Sequence, residues 1–206
     1  MRYKTEQEKF WAESFGSDYV DRNNGNKLLA TNLSVFSKIL KCCGNIKTCI
    51  EFGSNVGLNL KALKLLMPDT DFSAIEINKK ATEELSKILN PKNIFNTSIL
   101  DWNPQKQYDL VLISGVLIHI NPDYLDKVYK VLYKSSNKYI LINEYYNPKP
   151  VMIEYRGYKD RLFKRDFAGE ILDSFSDLNL VDYGFVYHRD NYFPNDDTTW
   201  FLLQKT

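Results

Sequence analysis

The sequence predicts an α/β protein built on a doubly wound, mostly parallel sheet with one reversed strand. Three observations lead there. Short apolar runs alternate with segments of helical period from residue 47 to residue 178. Those runs are continuous rather than alternating, as strands covered on both faces require. The last two runs, in residues 179–190 and 198–205, follow one another without a helix between them, so they pair antiparallel. The 206 residues suit one buried core, and 44% apolar with 26% charged content is the balance of an ordinary globular domain.

In order, "TEQEKFWAES" (5–14) opens with a Thr-x-x-Glu cap and reads as a short amphipathic helix. "GSDYVDRNNGN" (16–26) reads as a loop of turn residues. "KLLATNLSVFSKILKCC" (27–43) spaces Leu28, Leu29, Leu33, Phe36, Ile39 and Leu40 as a helix, closed by Gly44. "KTCIEF" is a buried strand and "LNLKALKLLMP" a helix stopped by Pro68. "DFSAIEI" is the second strand, and "NKKATEELSKILNP" a helix behind an Asn cap. "NIFNTSI" is a weaker strand and "YDLVLISGVL" a strongly apolar one. "NPDYLDKVYKVLYKSS" is a helix with Pro122 in its first turn, and "KYILINEYY" the fifth strand. A long connection leads to the helix "KRDFAGEILDSFSDL" and then to the final strand pair.

A net charge of +1 gives no reason to expect nucleic acid or an anionic membrane surface as partner. Cys42, Cys43 and Cys49 are odd in number and clustered, which builds neither a disulfide framework nor a zinc site; no metal is expected. "MRYKTEQEKF" is no signal peptide and no run reaches a bilayer-spanning length, so a soluble cytoplasmic protein is expected. The oligomeric state is open.

The most informative stretch is "CIEFGSNVGLNL" (49–60), where a buried strand ends in an acid and enters a bend crowded with glycine and asparagine. Ligands of doubly wound sheets sit at such strand ends. Of the three dinucleotide-fingerprint glycines only Gly53 is present, with Asn55 and Leu58 at the other places, and no P-loop Gly-Lys-Ser/Thr follows. What remains is Glu51-x-Gly53-x-Asn55-x-Gly57, with Gly53 freeing the backbone for a ligand and Gly57 letting the next helix start close to the sheet. An acid there repels a pyrophosphate and welcomes a cation, which suits S-adenosylmethionine better than NAD. Glu76 ends the second strand at the offset where an acid reaches ribose hydroxyls. Asp101, in "SILDWNP", is placed to accept from an adenine amine, with Ile77 and Trp102 about the ring and Ser114 ending the fourth strand nearby.

"CIEFGSNVGLNL", "SAIEIN", "SILDWNP" and "YDLVLISGVLIHINPDYL" resemble the motifs of class I S-adenosylmethionine-dependent methyltransferases. More narrowly, "TEQEKFWAESFGSDYVDRN", "FKRDFAGEILD" and "LVDYGFVYHRDNYFPNDDTTWFLL" are similar to the pseudaminic acid biosynthesis-associated methylases, nearly end to end. The resemblance implies a seven-stranded Rossmann-like sheet of order 3-2-1-4-5-7-6 with strand seven antiparallel. It implies one domain over 1–206, with a helical cap at 1–44, a core at 45–206 and a lid at about 145–165. It also implies methyl transfer from S-adenosylmethionine to a small acceptor, with surface-glycan sugar acids as the associated chemistry. Asn55 departs from the commonest glycine-rich motif.

Methyl transfer needs an aligned pocket and, for a hydroxyl or ammonium acceptor, a place for the proton. His119, after the fourth strand, reads either as that base or as a cap of the next helix. Glu144, ending the fifth strand, is the other candidate base or orienting acid. In the long connection Tyr145, Tyr146, Tyr155, Arg156, Arg161 and Arg165 form a basic, tyrosine-rich lid suited to an anionic acceptor, with His188 on its rim. Trp11, Tyr19 and Arg22 are expected to fold over the cofactor. The alternatives are a small phosphorylated amine as acceptor, or a non-catalytic cofactor-binding subunit. The choice between oxygen and nitrogen as the methylated atom stays open.

Overall fold

The structure, a computed structural model, describes residues 3–22 and 25–206, excluding the side chains of Arg22 and Asn26. The chain runs α1 (Glu6–Ala12), α2 (Ser14–Arg22), α3 (Asn26–Leu40), β1 (Thr48–Phe52), α4 (Leu58–Leu66), β2 (Asp71–Glu76) and α5 (Lys79–Leu85). It continues through β3 (Ile94–Asn96), β4 (Tyr108–Ser114), α6 (Leu125–Ser135), β5 (Ser136–Glu144), β6 (Val151–Tyr155), β7 (Tyr158–Lys164), α7 (Phe167–Ser174), β8 (Leu178–Phe185) and β9 (Thr199–Lys205).

The main sheet has seven strands in the order β3-β2-β1-β4-β5-β9-β8, with β9 antiparallel to both of its neighbours. This is the expected doubly wound order, since β8 and β9 are the sixth and seventh strands of the sheet. Its faces divide the core. Ile50, Phe52, Val111 and Ile113 point to the side of α6 and α7, while Cys49, Leu110 and Leu112 pack with Phe36, Ile39, Leu60 and Leu63 of α3 and α4. Burial on both faces explains why these strands read as unbroken apolar runs.

Two elements differ from expectation. Residues 14–22 are helical rather than a loop: Val20 is buried against Val56 and Ala81, and that packing overrides the poor helix propensity of Ser17, Asp18 and Asp21. The long connection is a two-stranded hairpin, β6–β7. Its two-residue turn places Arg156 at φ 52° and Gly157 at φ 84°, the pair of positive φ angles that matches the twist of paired strands.

Candidate active site

At the carboxyl ends of the parallel strands lies a cavity of about 840 Å³. One wall is the bend after β1. The amides of Gly53 and Ser54 donate to the Ile75 carbonyl at 2.8 and 3.2 Å, which locks the bend to β2. Gly53, Asn55 and Gly57 all have positive φ, at 72°, 45° and 76°. The glycines are forced by protein neighbours as well: a Cβ on Gly53 would lie 2.5 Å from Val116 Cγ2, and one on Gly57 would lie 2.4 Å from Ile88 Cδ1. Gly53 is thus held small by the turn after β4 and by its positive φ, and its backbone lines the cavity.

Glu76 closes β2 and lines the cavity at 7% exposure. Its Oε2 accepts the Asn55 amide at 2.8 Å and its Oε1 the Asn78 amide at 2.7 Å. Burial raises its pKa and the amides partly offset this. A carboxylate offers about four acceptor sites, so each oxygen keeps capacity for a hydroxyl. Ile77 continues this wall, and Ser114 stands at the end of β4.

Glu51 lies off the wall, 1% exposed. Asn59 stands between: its Nδ2 donates to Glu51 Oε1 at 2.7 Å while its Oδ1 accepts from Asn32 at 2.8 Å. Both asparagines line the cavity. Glu51 Oε2 has no partner among the described residues, and burial pushes its carboxyl up to about 8. Glu51, expected to face a ligand cation directly, is thus separated from the cavity by Asn59.

Asp101 and Trp102 also leave the wall. A tight turn over Ile99–Asp101, capped by the Ser98 hydroxyl, swings Asp101 outward into an ion pair with Lys4. Trp102 packs on Phe95 with ring centres 4.7 Å apart. Ser98, Ile99 and Leu100 take their place, and the Ser98 hydroxyl donates to Glu8 of α1.

Helices α1 and α2 roof this half, with Glu8, Trp11 and Tyr19 facing inward. Asn78 pins them: its Nδ2 donates to the carbonyls of Trp11 and Ala12 at 3.1 and 3.3 Å. Gly16 packs so close that a Cβ would meet the Trp11 carbonyl oxygen at 1.8 Å. Arg22 ends α2, and its side chain lies outside the described residues. Gln7 Nε2 donates to the Asp160 carbonyl at 2.9 Å, joining the roof to the hairpin.

The other half of the cavity is lined by Asn143, Tyr145, Tyr155, Arg156, His119 and His188. His119 does not cap a helix. Its Nδ1 lies 2.5 Å from the Arg161 carbonyl, which can only accept, so the proton sits on Nδ1 and the lone pair on Nε2. The ring lies between Trp11 and Tyr155, and burial pushes its pKa down to about 4. Glu144, the other candidate base, does not line the cavity. Its Oε1 accepts the amides of Val116 and Leu117 at 2.9 Å each and its Oε2 that of Ile118 at 3.5 Å, so it holds the turn carrying His119. Burial, offset by those amides, lifts it to about 7.

Of the expected lid, Tyr145, Tyr155 and Arg156 line the cavity, and Arg156 is its only arginine there. Arg161 lies over the Phe10 ring, with its head group 5.3 Å from the ring centre, and Arg165 pairs with Glu170 at 2.6 Å. Tyr146 is 41% exposed and packs on the outer side against Phe201. Among the described residues no three histidine, cysteine or acidic side chains converge on a potential metal position.

In three dimensions the chain is similar to an S-adenosylmethionine-dependent methyltransferase from Leishmania major, with TM-score 0.68 and 17% identity over 97% of this chain and 81% of that one. It is similar to 1,6-didemethyltoxoflavin-N1-methyltransferase from Burkholderia thailandensis, solved with its namesake and S-adenosylhomocysteine, with TM-score 0.69 and 12% identity over 97% and 87%. Magnesium protoporphyrin IX methyltransferase from Synechocystis, solved with S-adenosylmethionine bound, gives TM-score 0.62 and 13% identity over 100% of both chains. No protein-family model matches the chain, and no curated protein matches its sequence. The fold is the class I methyltransferase fold.

Within that fold, sequence reasoning missed Glu8, Asn59, Ser98, Asn143 and Asp196, all of which line the cavity. Asn143 stands one residue before the end of β5, where a polar residue in an apolar run is a legible signal. Glu8 carries none, because its place depends on a contact with Ser98 ninety positions away.

Proposed function

We propose that this protein transfers a methyl group from S-adenosylmethionine to a small polar acceptor. The observation that carries the reading is Glu76, a buried carboxylate with spare acceptor capacity beside an αL bend at the carboxyl end of the second strand. Structural neighbours of this fold carry S-adenosylmethionine or S-adenosylhomocysteine. The cavity is within the usual range for small-molecule sites, about 300–1,000 Å³. Its walls hold orphaned polar atoms, Trp11 Nε1 and Asn143 Oδ1, that a polar ligand can satisfy. When bound, the cofactor supplies an activated methyl group. Glu76 takes the ribose diol, Asn59 is held in the wall by Glu51 and Asn32, and the roof excludes water. Calorimetry tests this: S-adenosylmethionine and S-adenosylhomocysteine bind and NAD does not. Binding of NAD alone would overturn it.

For the acceptor, we infer a polyhydroxylated sugar acid or its nucleotide conjugate, with Arg156, the one cavity-facing guanidinium among the described residues, on its carboxylate. The sequence resemblance and this arginine support that reading. The tyrosines of the wall supply hydroxyls for a polyol. A transfer screen over sugar acids, nucleotide sugars and phosphorylated amines decides, and transfer to the amines alone would favour the phosphorylated-amine alternative.

A further inference from the structure

We propose that His188, oriented by Asp197, is the general base that takes the acceptor's proton; this rests on the methyl-transfer reading above. Both carboxylate oxygens of Asp197 lie 2.8 Å from His188 Nδ1, and Oδ1 also accepts the backbone amide of His188 at 2.9 Å. Those two hydrogen bonds, the amide's first, hold the Asp197 carboxyl below the usual carboxylate range, so it is ionised at neutral pH. An ionised carboxylate only accepts. The proton of a neutral His188 therefore sits on Nδ1, and the lone pair is presented at Nε2.

The position fits the role. His188 lines the cavity together with Tyr145, Asp196 and Thr198, and the register pairs Glu144 with Thr199, which brings this loop beside the carboxyl end of β5. Burial first and then the Asp196 carboxylate raise the pKa of the Tyr145 hydroxyl, and the Thr198 hydroxyl has no partner among the described residues. The loop is a fixed platform rather than a loose flap. Val186 donates to the Thr198 carbonyl at 2.8 Å across its neck, and Thr31 of α3 donates to the Pro194 carbonyl at 3.2 Å. The charges around the dyad are Lys164, which acts on Asp197, and Asp196, Arg156 and Lys27 in the cavity wall.

His119 is the competitor. Burial holds it near 4, so its conjugate acid forms with little driving force at neutral pH. Its bond to the Arg161 carbonyl makes it a positioning residue that ties the hairpin to the turn after β4. His188 is more than half exposed, at 56% of its side chain, so the imidazolium it forms is solvated and faces a carboxylate. In the step, the acceptor's O–H or N–H proton passes to Nε2. The electron pair left behind forms the new bond to the methyl carbon, and the pair of the old carbon–sulfur bond stays on sulfur. The imidazolium then releases its proton to water.

Two measurements test this. NMR nitrogen shifts of His188 in the free protein should show the neutral ring protonated at Nδ1, and this preference should be lost in Asp197→Ala. A parent ring protonated at Nε2 overturns the proposal. Methyl transfer is then measured with labelled S-adenosylmethionine on N-acetylneuraminic acid, its cytidine monophosphate conjugate and phosphoethanolamine. His188→Gln should lower kcat about 100-fold with cofactor Kd unchanged, and added imidazole should restore part of the rate of His188→Gly. Unchanged cofactor binding with unchanged kcat in His188→Gln overturns the base alone. A parent protein that binds no S-adenosylmethionine overturns the methyl-transfer reading, and the assignment of a base falls with it.

Discussion

Glu76 shows how much one side chain is asked to do. It receives two backbone amides, one from the bend after β1 and one from the cap of α5, and still faces the cavity. Charge-assisted hydrogen bonds to a ribose diol are worth about 1.5–3 kcal/mol each. Glu76→Ala should weaken S-adenosylmethionine binding by at least about tenfold in calorimetry. It should also lower the melting temperature, because the amides of Asn55 and Asn78 lose their acceptor. Unaltered affinity would remove Glu76 from the site. The residue was legible in sequence because a strand end is a local property. Asp101 was not, because a three-residue turn decides which way it points and its partner, Lys4, is far away in the chain.

Among the elements, the roof is held by few bonds for the surface it covers. Asn78 caps α5 through its Oδ1, which accepts the Ala81 amide at 3.1 Å, and grips the α1–α2 junction through its Nδ2. Asn78→Asp keeps the cap and removes the grip, since a carboxylate donates nothing to the Trp11 and Ala12 carbonyls. Hydrogen exchange over residues 6–22 should then quicken while the strands keep their protection. Cofactor affinity should fall with it. Equal exchange in both proteins would show that the roof's other ties, Ser98 to Glu8, Gln7 to the Asp160 carbonyl and Lys80 to Asp21, hold it without Asn78. Helix α2 and the β6–β7 hairpin are the elements that sequence reasoning read poorly, whereas α1 and its Thr5–Glu8 cap stand as the sequence predicts. Val20 draws its helix together through Val56 and Ala81, and the hairpin strand Val151–Tyr155 is exposed along most of its length, so neither shows a strong local period. The main strands were legible because burial on both faces leaves an uninterrupted apolar run.

At the scale of the whole molecule, stability is tied to pH through acids buried behind the cavity. The Glu51 carboxyl rises from 4.5 to about 8 on folding, chiefly through burial. The folded state therefore holds the extra proton between those values. Its contribution is full below pH 4.5 and is lost as the pH rises through about 8. Glu144, lifted from 4.5 to about 7, acts in the same direction. His119, lowered from 6.5 to about 4, opposes them, because its contribution is lost as pH falls through that lower range. Above pH 6.5 only the acid terms remain, so denaturant midpoints of the free protein should fall from there to about pH 8. Glu51→Gln should flatten that fall, since the amide stays neutral throughout. An unchanged slope would mean that Glu51 is ionised in the folded protein.

Trp11 gives this roof an optical consequence. Its indole lies 4.6 Å, centre to centre, from the His119 ring, and its N–H has no partner among the described residues. The other two tryptophans do not line the cavity: Trp102 packs on Phe95, and Trp200 is buried against Gly184. In Trp102→Phe/Trp200→Phe protein, excited at wavelengths that the tyrosines do not absorb, the ultraviolet emission is that of Trp11 alone. Its colour and yield should shift saturably as S-adenosylhomocysteine enters beneath it, and Trp11→Phe in the parent should abolish that change. The roof then acts as its own occupancy gauge, read without a label and before any acceptor is known.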